Sequence, residues 1–282
     1  MLPSPNAVLL LKFLFLSLAF AIGARLAARA VNGMQAGAFG ALADPTASSA
    51  ASSAARSAAR SGAGSSASGV LAGGVLGALA GAKLFFAANY PALLVSEEAG
   101  SIWWLAAGFS APGAIAGAWA GLTLAASRHT GAWADALTPA VLAMLLVLDA
   151  GTSLWSLTEP GYGVPARHLG INFGDGVRRH PVMLYDALCL GAMLWANRAL
   201  QRQGWSIPGL RASVLWGGYF AASLLLAFLK PPFGKVLLLE KIHLRPYVYA
   251  PGLTAEQWLC IVAAAALAMV SIRAVWRNAD RA

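Results

Sequence analysis

Residues 69–95 read GVLAGGVLGALAGAKLFFAANYPALLV, and within that run only Lys83 is charged. A bilayer core needs about 20 apolar residues in helical form to cross it. This run is long enough, and its glycines and alanines permit close contact with a neighbouring helix. A lysine inside such a run is costly unless it faces a protein interior or snorkels to an interface. The rest of the chain follows the same pattern. Of its 282 residues, 59% are hydrophobic and only 11% charged, against about 25% charged in soluble domains. Mean hydropathy is +0.65. These values define an all-α integral membrane protein. The formal charge of +9 does not indicate nucleic-acid binding, because Lys and Arg fall mainly between apolar runs, where they set topology and meet headgroups.

Outward from that run, a first apolar stretch covers about Ala7 to Val31. It lacks a basic n-region and exceeds a signal core in length, so it reads as an uncleaved span (domain 1–31); cleavage would fall at Ala28-Arg29-Ala30. Residues 32–68 are Ala/Ser/Gly-rich and lack large apolar anchors, which predicts a low-complexity loop. Residues 69–282 form a six-helix membrane domain. Its further spans run about Ile102 to Ala126, opening on the interfacial pair Trp103-Trp104, then Trp133 to Trp155 with Asp149 inside, and Pro181 to Leu200. The last two run about Ala212 to Leu229, with Tyr219 inside, and Leu253 to Trp276. Lys230-Pro231-Pro232 closes the sixth span. Gly151 to Gly176 is irregular and polar, and such backbone must lie in water or line a protein cavity. His129, beside Arg128, reads as a solvated loop histidine. Cys189 and Cys260 fall in apolar runs and read as buried structural residues.

About seven transmembrane helices put the termini on opposite sides. With the N-terminus outside, the inner side collects eleven arginines, and the outer side seven Lys and Arg residues. The positive-inside rule then gives N-out, C-in. The outer basic residues gather at the ends of spans four, five and six. The densest group is Arg178-Arg179-His180-Pro181, followed by Val182-Met183-Leu184-Tyr185-Asp186. Pro181 suits the first position of a helix. A helix start bears partial positive charge and free N–H groups, so with two arginines it attracts an anion, and beside a bilayer that is a lipid phosphate. The plainer reading makes the arginines interfacial anchors.

Arg179-His180-Pro181 with Leu184-Tyr185-Asp186 resembles the R-H-P-x-Q-L-Y-E signature of bacterial prolipoprotein diacylglyceryl transferases. Gly81-Ala82-Lys83-Leu84 is similar to that family's G-A-R-L, and Gly108 to Ala114, containing Gly113, to its G-G-x-S-x-H-G-G. Gly161-Tyr162-Gly163 resembles the end of its G-R-I-G-x-F region in the variant closing C-C-Y-G. Tyr219 to Ser223 stands where the family has Y-G-x-x-R-F, and Leu253 to Trp258 resembles L-S-x-G-Q. The resemblance implies a seven-span, multi-pass protein of the bacterial plasma membrane. It implies transfer of a diacylglyceryl group from phosphatidylglycerol to the thiol of a prolipoprotein lipobox cysteine at the outer face, with no cofactor and no metal.

On this resemblance His180 is the proton acceptor, with Tyr185 and Tyr219 as further catalytic groups. Lys83, Arg178, Arg179 and Lys230 hold the lipid phosphate, and Tyr162, Gly163 and Gly113 line the site. A neutral imidazole suits deprotonation of a thiol, and cations suit a phosphate leaving group. The chain departs from the family pattern at Ala111-Pro112, Thr152, Ser223 and Ala227, where family His, Arg, Arg and Glu would stand. Those replacements point to the alternative, a member without catalysis that binds or shuttles an anionic phospholipid. A transporter would show paired broken helices or an internal repeat, and neither is evident.

Overall fold

In the computed structural model the described residues are 14, 17–32, 67–91, 110–126, 129–155, 163–172, 176–203, 205, 207–230, 234–235, 243–244 and 247–279. They form the helices α1 (17–32), α2 (Ala67–Asn89), α3 (Ala111–Ala126), α4 (Thr130–Trp155), α5 (Val182–Arg202), α6 (Leu210–Ala227) and α7 (Ala255–Ala279). The architecture is therefore all-α, and among the described residues four helices are long and apolar enough to cross a membrane: Ser68–Asn89, Thr130–Ala150, Leu210–Ala227 and Ala255–Arg277. The apolar helix Ala111–Ala126 is shorter. Three two-residue antiparallel ribbons complete the fold: β1 (Ile171–Asn172) with β2 (Arg178–Arg179), β3 (Gly234–Lys235) with β4 (His243–Leu244), and β5 (Val248–Tyr249) with β6 (Leu253–Thr254).

The glycines of residues 69–95 have a visible purpose. Gly73, Gly77 and Gly81 on α2 meet Gly121, Gly117 and Gly113 on α3, so the helices run antiparallel. Each set is spaced by four, which keeps it on one helix face. The backbones touch there: a Cβ on Gly117 would fall onto the Gly77 carbonyl oxygen, and one on Gly121 onto the Gly73 carbonyl oxygen. Without a hydrophobic driving force between helices in lipid, such backbone contact supplies the packing. The main core lies between α4, α5, α6 and α7, around Leu142, Leu190, Leu215, Trp216, Phe220 and Cys260. Trp216 donates its indole N–H to the Thr138 hydroxyl at 3.0 Å, and Thr138 donates in turn to the Ala134 carbonyl at 2.7 Å.

Two helix starts are capped by residues distant in sequence. Gly209 at the N-cap of α6 has φ +84° and no side chain to cap with. Asp135 of α4 does it instead, accepting from the Gly209 N–H and the Ala212 N–H, each at 2.7 Å. This carboxylate is buried and neutralises the positive end of α6. Asp135→Asn keeps the shape and one acceptor oxygen but turns an amide N–H₂ toward a backbone donor. A bond to a charged group is worth about 1.5–3 kcal/mol, so thermal melting in detergent should show a loss of roughly 2–4 kcal/mol. A melting point equal to the wild type would remove Asp135 from this role.

At α7, Thr254 and Gln257 form a reciprocal capping box: the Gln257 N–H donates to Thr254 Oγ1 at 3.3 Å, and the Thr254 N–H to Gln257 Oε1 at 2.8 Å. Asn89 at the end of α2 adds a second pair, donating to Glu256 Oε2 at 3.2 Å and accepting from the Glu256 N–H at 3.1 Å.

Several boundaries differ from expectation. Pro181 is the N-cap residue (φ −80°, ψ 74°), not the first helical residue, and α5 begins at Val182. The helix α4 continues to Trp155, so Gly151 opens no irregular stretch. Trp103, Trp104 and Tyr162, and nearly all of the 32–68 loop, lie outside the described residues.

Candidate functional site

Residues 163–172 and 176–180 lie at the start of α5 and the end of α6. The Gly163 N–H donates to the His180 carbonyl at 2.6 Å, the His180 N–H to the Val164 carbonyl at 3.2 Å, and the Ala166 N–H to the Arg178 carbonyl at 2.9 Å. The Val164 N–H donates to the Leu229 carbonyl at 2.8 Å, which fastens this segment to the end of α6. Gly163 is required sterically: a Cβ there would strike the Leu229 carbonyl oxygen and approach Val182 Cγ2 to 2.7 Å. The segment thus delivers half-buried His180 to the mouth of α5.

His180 takes part in a short relay. Its Nδ1 lies 3.3 Å from the Tyr185 hydroxyl, and that hydroxyl donates to the Leu169 carbonyl at 3.1 Å. A phenol has one hydrogen. With that hydrogen given to Leu169, the Tyr185 oxygen can only accept, so Nδ1 of the neutral ring carries the proton. The Nε2 lone pair is then left as the basic position. The tautomer follows from the hydrogen-bond network.

Below the relay lies a group of charges. Asp149 on α4, Asp186 on α5 and Glu256 on α7 all act electrostatically on Lys230, just past the end of α6. Asp186 and Asp149 also act on each other. Burial works against the Lys230 charge, but Glu256, Asp186 and Asp149 together outweigh it and hold the lysine pKa above its ordinary value. The side chain keeps access to open space while protein surrounds it closely. Acidic groups on α4, α5 and α7 thus favour its charged form. Burial, then the charge of Glu256, pushes the Tyr90 hydroxyl up at the end of α2.

The expected site residues that are described fall into four places. His180, Tyr185, Gly163 and Lys230 gather at one end of the bundle. Tyr219 is buried in α6 below them, its ring edge-on to Trp216 at 5.6 Å and Phe220 at 5.7 Å. Arg178 and Arg179 belong to β2, so they flank the helix start on a ribbon. Arg178 is exposed opposite Asn172, and Arg179 half-buried opposite Ile171. Lys83 and Gly113 are elsewhere: Gly113 packs against the Gly81 carbonyl oxygen at 2.6 Å for a built Cβ, and half-buried Lys83 follows on the same helix. Six residues separate Lys83 from Asn89, about 9 Å along the axis. Sequence reasoning noted Asp149 but gave it no role, and did not single out Glu256 or Asn89. The available signal was an ionisable residue at the edge of an apolar run. Among the described residues no group of three His, Cys, Asp or Glu side chains could hold a metal ion.

An open apolar cavity of about 390 Å³ runs beside α4 from Ala134 to Leu148, lined also by α1, α2, α3 and Trp216. Ligand pockets span about 300–1,000 Å³. Comparison with known proteins finds no matching family model and no similar curated protein.

Proposed function

We propose that this protein transfers a diacylglyceryl group from phosphatidylglycerol to the cysteine thiol of a prolipoprotein lipobox, at the outer face of a bacterial plasma membrane. In this reading α1 to α7 are seven spans, with the N-terminus outside and the C-terminus inside. The observation that carries it is the His180–Tyr185–Leu169 relay, which leaves His180 Nε2 as a base at the mouth of the bundle. The thiol gives its proton to Nε2. Its sulfur bonds to the glycerol carbon of the lipid as the bond from that carbon to the phosphate oxygen breaks, and glycerol phosphate departs. Half-buried Arg179 on β2, next to His180, suits the departing charge, since a guanidinium meets phosphate with paired donors. The apolar cavity beside α4 suits an acyl chain.

A second reading has a specific observation in its favour. Glu256, Asp186 and Asp149 all act electrostatically on Lys230, so acidic groups offset the ammonium there, which is unfavourable to a phosphate. A protein without catalysis that binds or shuttles an anionic phospholipid would tolerate this. The test is a transfer assay with purified full-length protein, phosphatidylglycerol vesicles and a lipobox peptide, followed by mass. A peptide gaining one diacylglyceryl group establishes the transferase. Lipid binding without any mass gain, in folded protein, leaves the second reading.

A further inference from the structure

Leu169 is 85% exposed and is the one non-glycine among the described residues with a positive φ, +58°. That conformation is uncommon for a leucine and carries a steric cost. It is held by the Tyr185 hydroxyl, which donates to the Leu169 carbonyl at 3.1 Å, so the side chain is presented outward. The adjoining ribbon continues the pattern. Ile171 is paired with Arg179 and Asn172 with Arg178, and directly paired residues share a face. Alternation puts Val177 on the face of Ile171 and Arg179. Ile171 and Val177 are both exposed. Exposed Arg167, His168 and Arg178 border this apolar surface.

The position of the ribbon identifies what it meets. It leads directly into α5 and is fastened to the end of α6. The beginning of α7 lies at that same end, because Lys230 senses both Asp186 and Glu256. There Tyr247, Tyr249 and Trp258 are exposed, an aromatic group of the kind that sits at headgroup level. An apolar ridge bordered by arginines at that level complements an anionic leaflet. We infer that the β1–β2 ribbon is a membrane-surface anchor: Leu169, Ile171 and Val177 enter the boundary between headgroups and acyl chains, and Arg167 and Arg178 engage lipid phosphates. Through Tyr185, the anchor is tied to His180. The inference does not depend on the transfer reaction.

The test places an environment-sensitive nitrobenzoxadiazole label at Leu169→Cys, in a Cys189→Ala background. Cys260 is only 1% exposed and escapes labelling. The full-length protein is placed in nanodiscs of phosphatidylcholine alone or with phosphatidylglycerol. The expected result is quenching by lipids spin-labelled high on the acyl chain, stronger with phosphatidylglycerol. Arg167→Gln and Arg178→Gln should each lower that anionic preference roughly fivefold. A label quenched by aqueous iodide and untouched by spin-labelled lipid overturns the inference. So does a label shielded from both quenchers, which would mean that protein covers the ribbon. Hydrogen exchange of residues 166–172 in the unlabelled wild type gives an independent readout. Protection should rise in anionic nanodiscs, and equal exchange in both lipids would contradict the anchor.

Discussion

Replacing Gly117 by valine is expected to cost about 3 kcal/mol or more, above the ordinary range for an overpacked site. The reason is the identity of the atom it meets. Overpacking is usually relieved by rotating a neighbouring side chain. Here the neighbour is the Gly77 carbonyl oxygen on α2, and Cα of Gly81 lies 2.8 Å from the built Cβ. Neither can rotate away, so α2 and α3 must separate along the whole seam from Gly73–Gly121 to Gly81–Gly113. Close dispersion contacts are lost all along it, and in lipid no hydrophobic effect compensates for them. At roughly 2–4 °C per kcal/mol for a chain near this size, the melting temperature in detergent should fall by about 6–12 °C. Gly191 supplies the control. It is also helical, in α5, but a Cβ there meets nothing within 4 Å. Gly191→Ala should be neutral or stabilise by up to about 1 kcal/mol through helix propensity alone. If both variants melt like the wild type, the glycine contact between α2 and α3 is wrong.

The glycine seam was partly legible. Spacing of four within an apolar run announces a close helix contact, but nothing in residues 69–95 says which helix supplies the partner. That choice depends on Gly113, Gly117 and Gly121, which carry the same spacing on α3. The helices themselves were legible because continuous apolar runs have few other solutions in a bilayer. Their ends were less so. Pro181 stands outside α5 and Gly151 inside α4, since terminal turns are decided by a few backbone bonds whose partners lie elsewhere. The caps show the limit most clearly. Nothing in the sequence singles out Asp135 until Gly209 and Ala212, 74 and 77 residues later, are brought to it. Asn89 and Glu256 are 167 residues apart. The ribbons were not foreseen, because two residues per strand carry no periodicity. His180 and Tyr185 were found together because they are local, separated by five residues across a helix start. What sequence could not supply was the carbonyl of Leu169, and that third member decides which histidine nitrogen is basic.

If the proposed transfer holds, His180→Ala should lower its rate by about 10²–10⁴, the range for loss of a positioned general base, with phosphatidylglycerol binding unchanged. The more discriminating variant is Tyr185→Phe. It keeps the ring beside His180, with centroids 6.1 Å apart in the wild type, and removes only the oxygen. Nδ1–H then loses its acceptor and the Leu169 carbonyl its donor. The imidazole is free to exchange tautomers, and the fraction presenting Nε2 as the base falls. One hydrogen bond is worth about 0.5–1.5 kcal/mol, so the rate should drop roughly tenfold at most, in kcat with little change in KM. A base held in place by packing alone would show no such drop. A nucleophile-holding tyrosine would show a far larger one. If His180→Ala transfers at the wild-type rate, Nε2 is not the base, and the relay positions the Leu169 turn rather than a proton. If neither protein transfers but both bind phosphatidylglycerol, the same relay orders a lipid-binding mouth without chemistry.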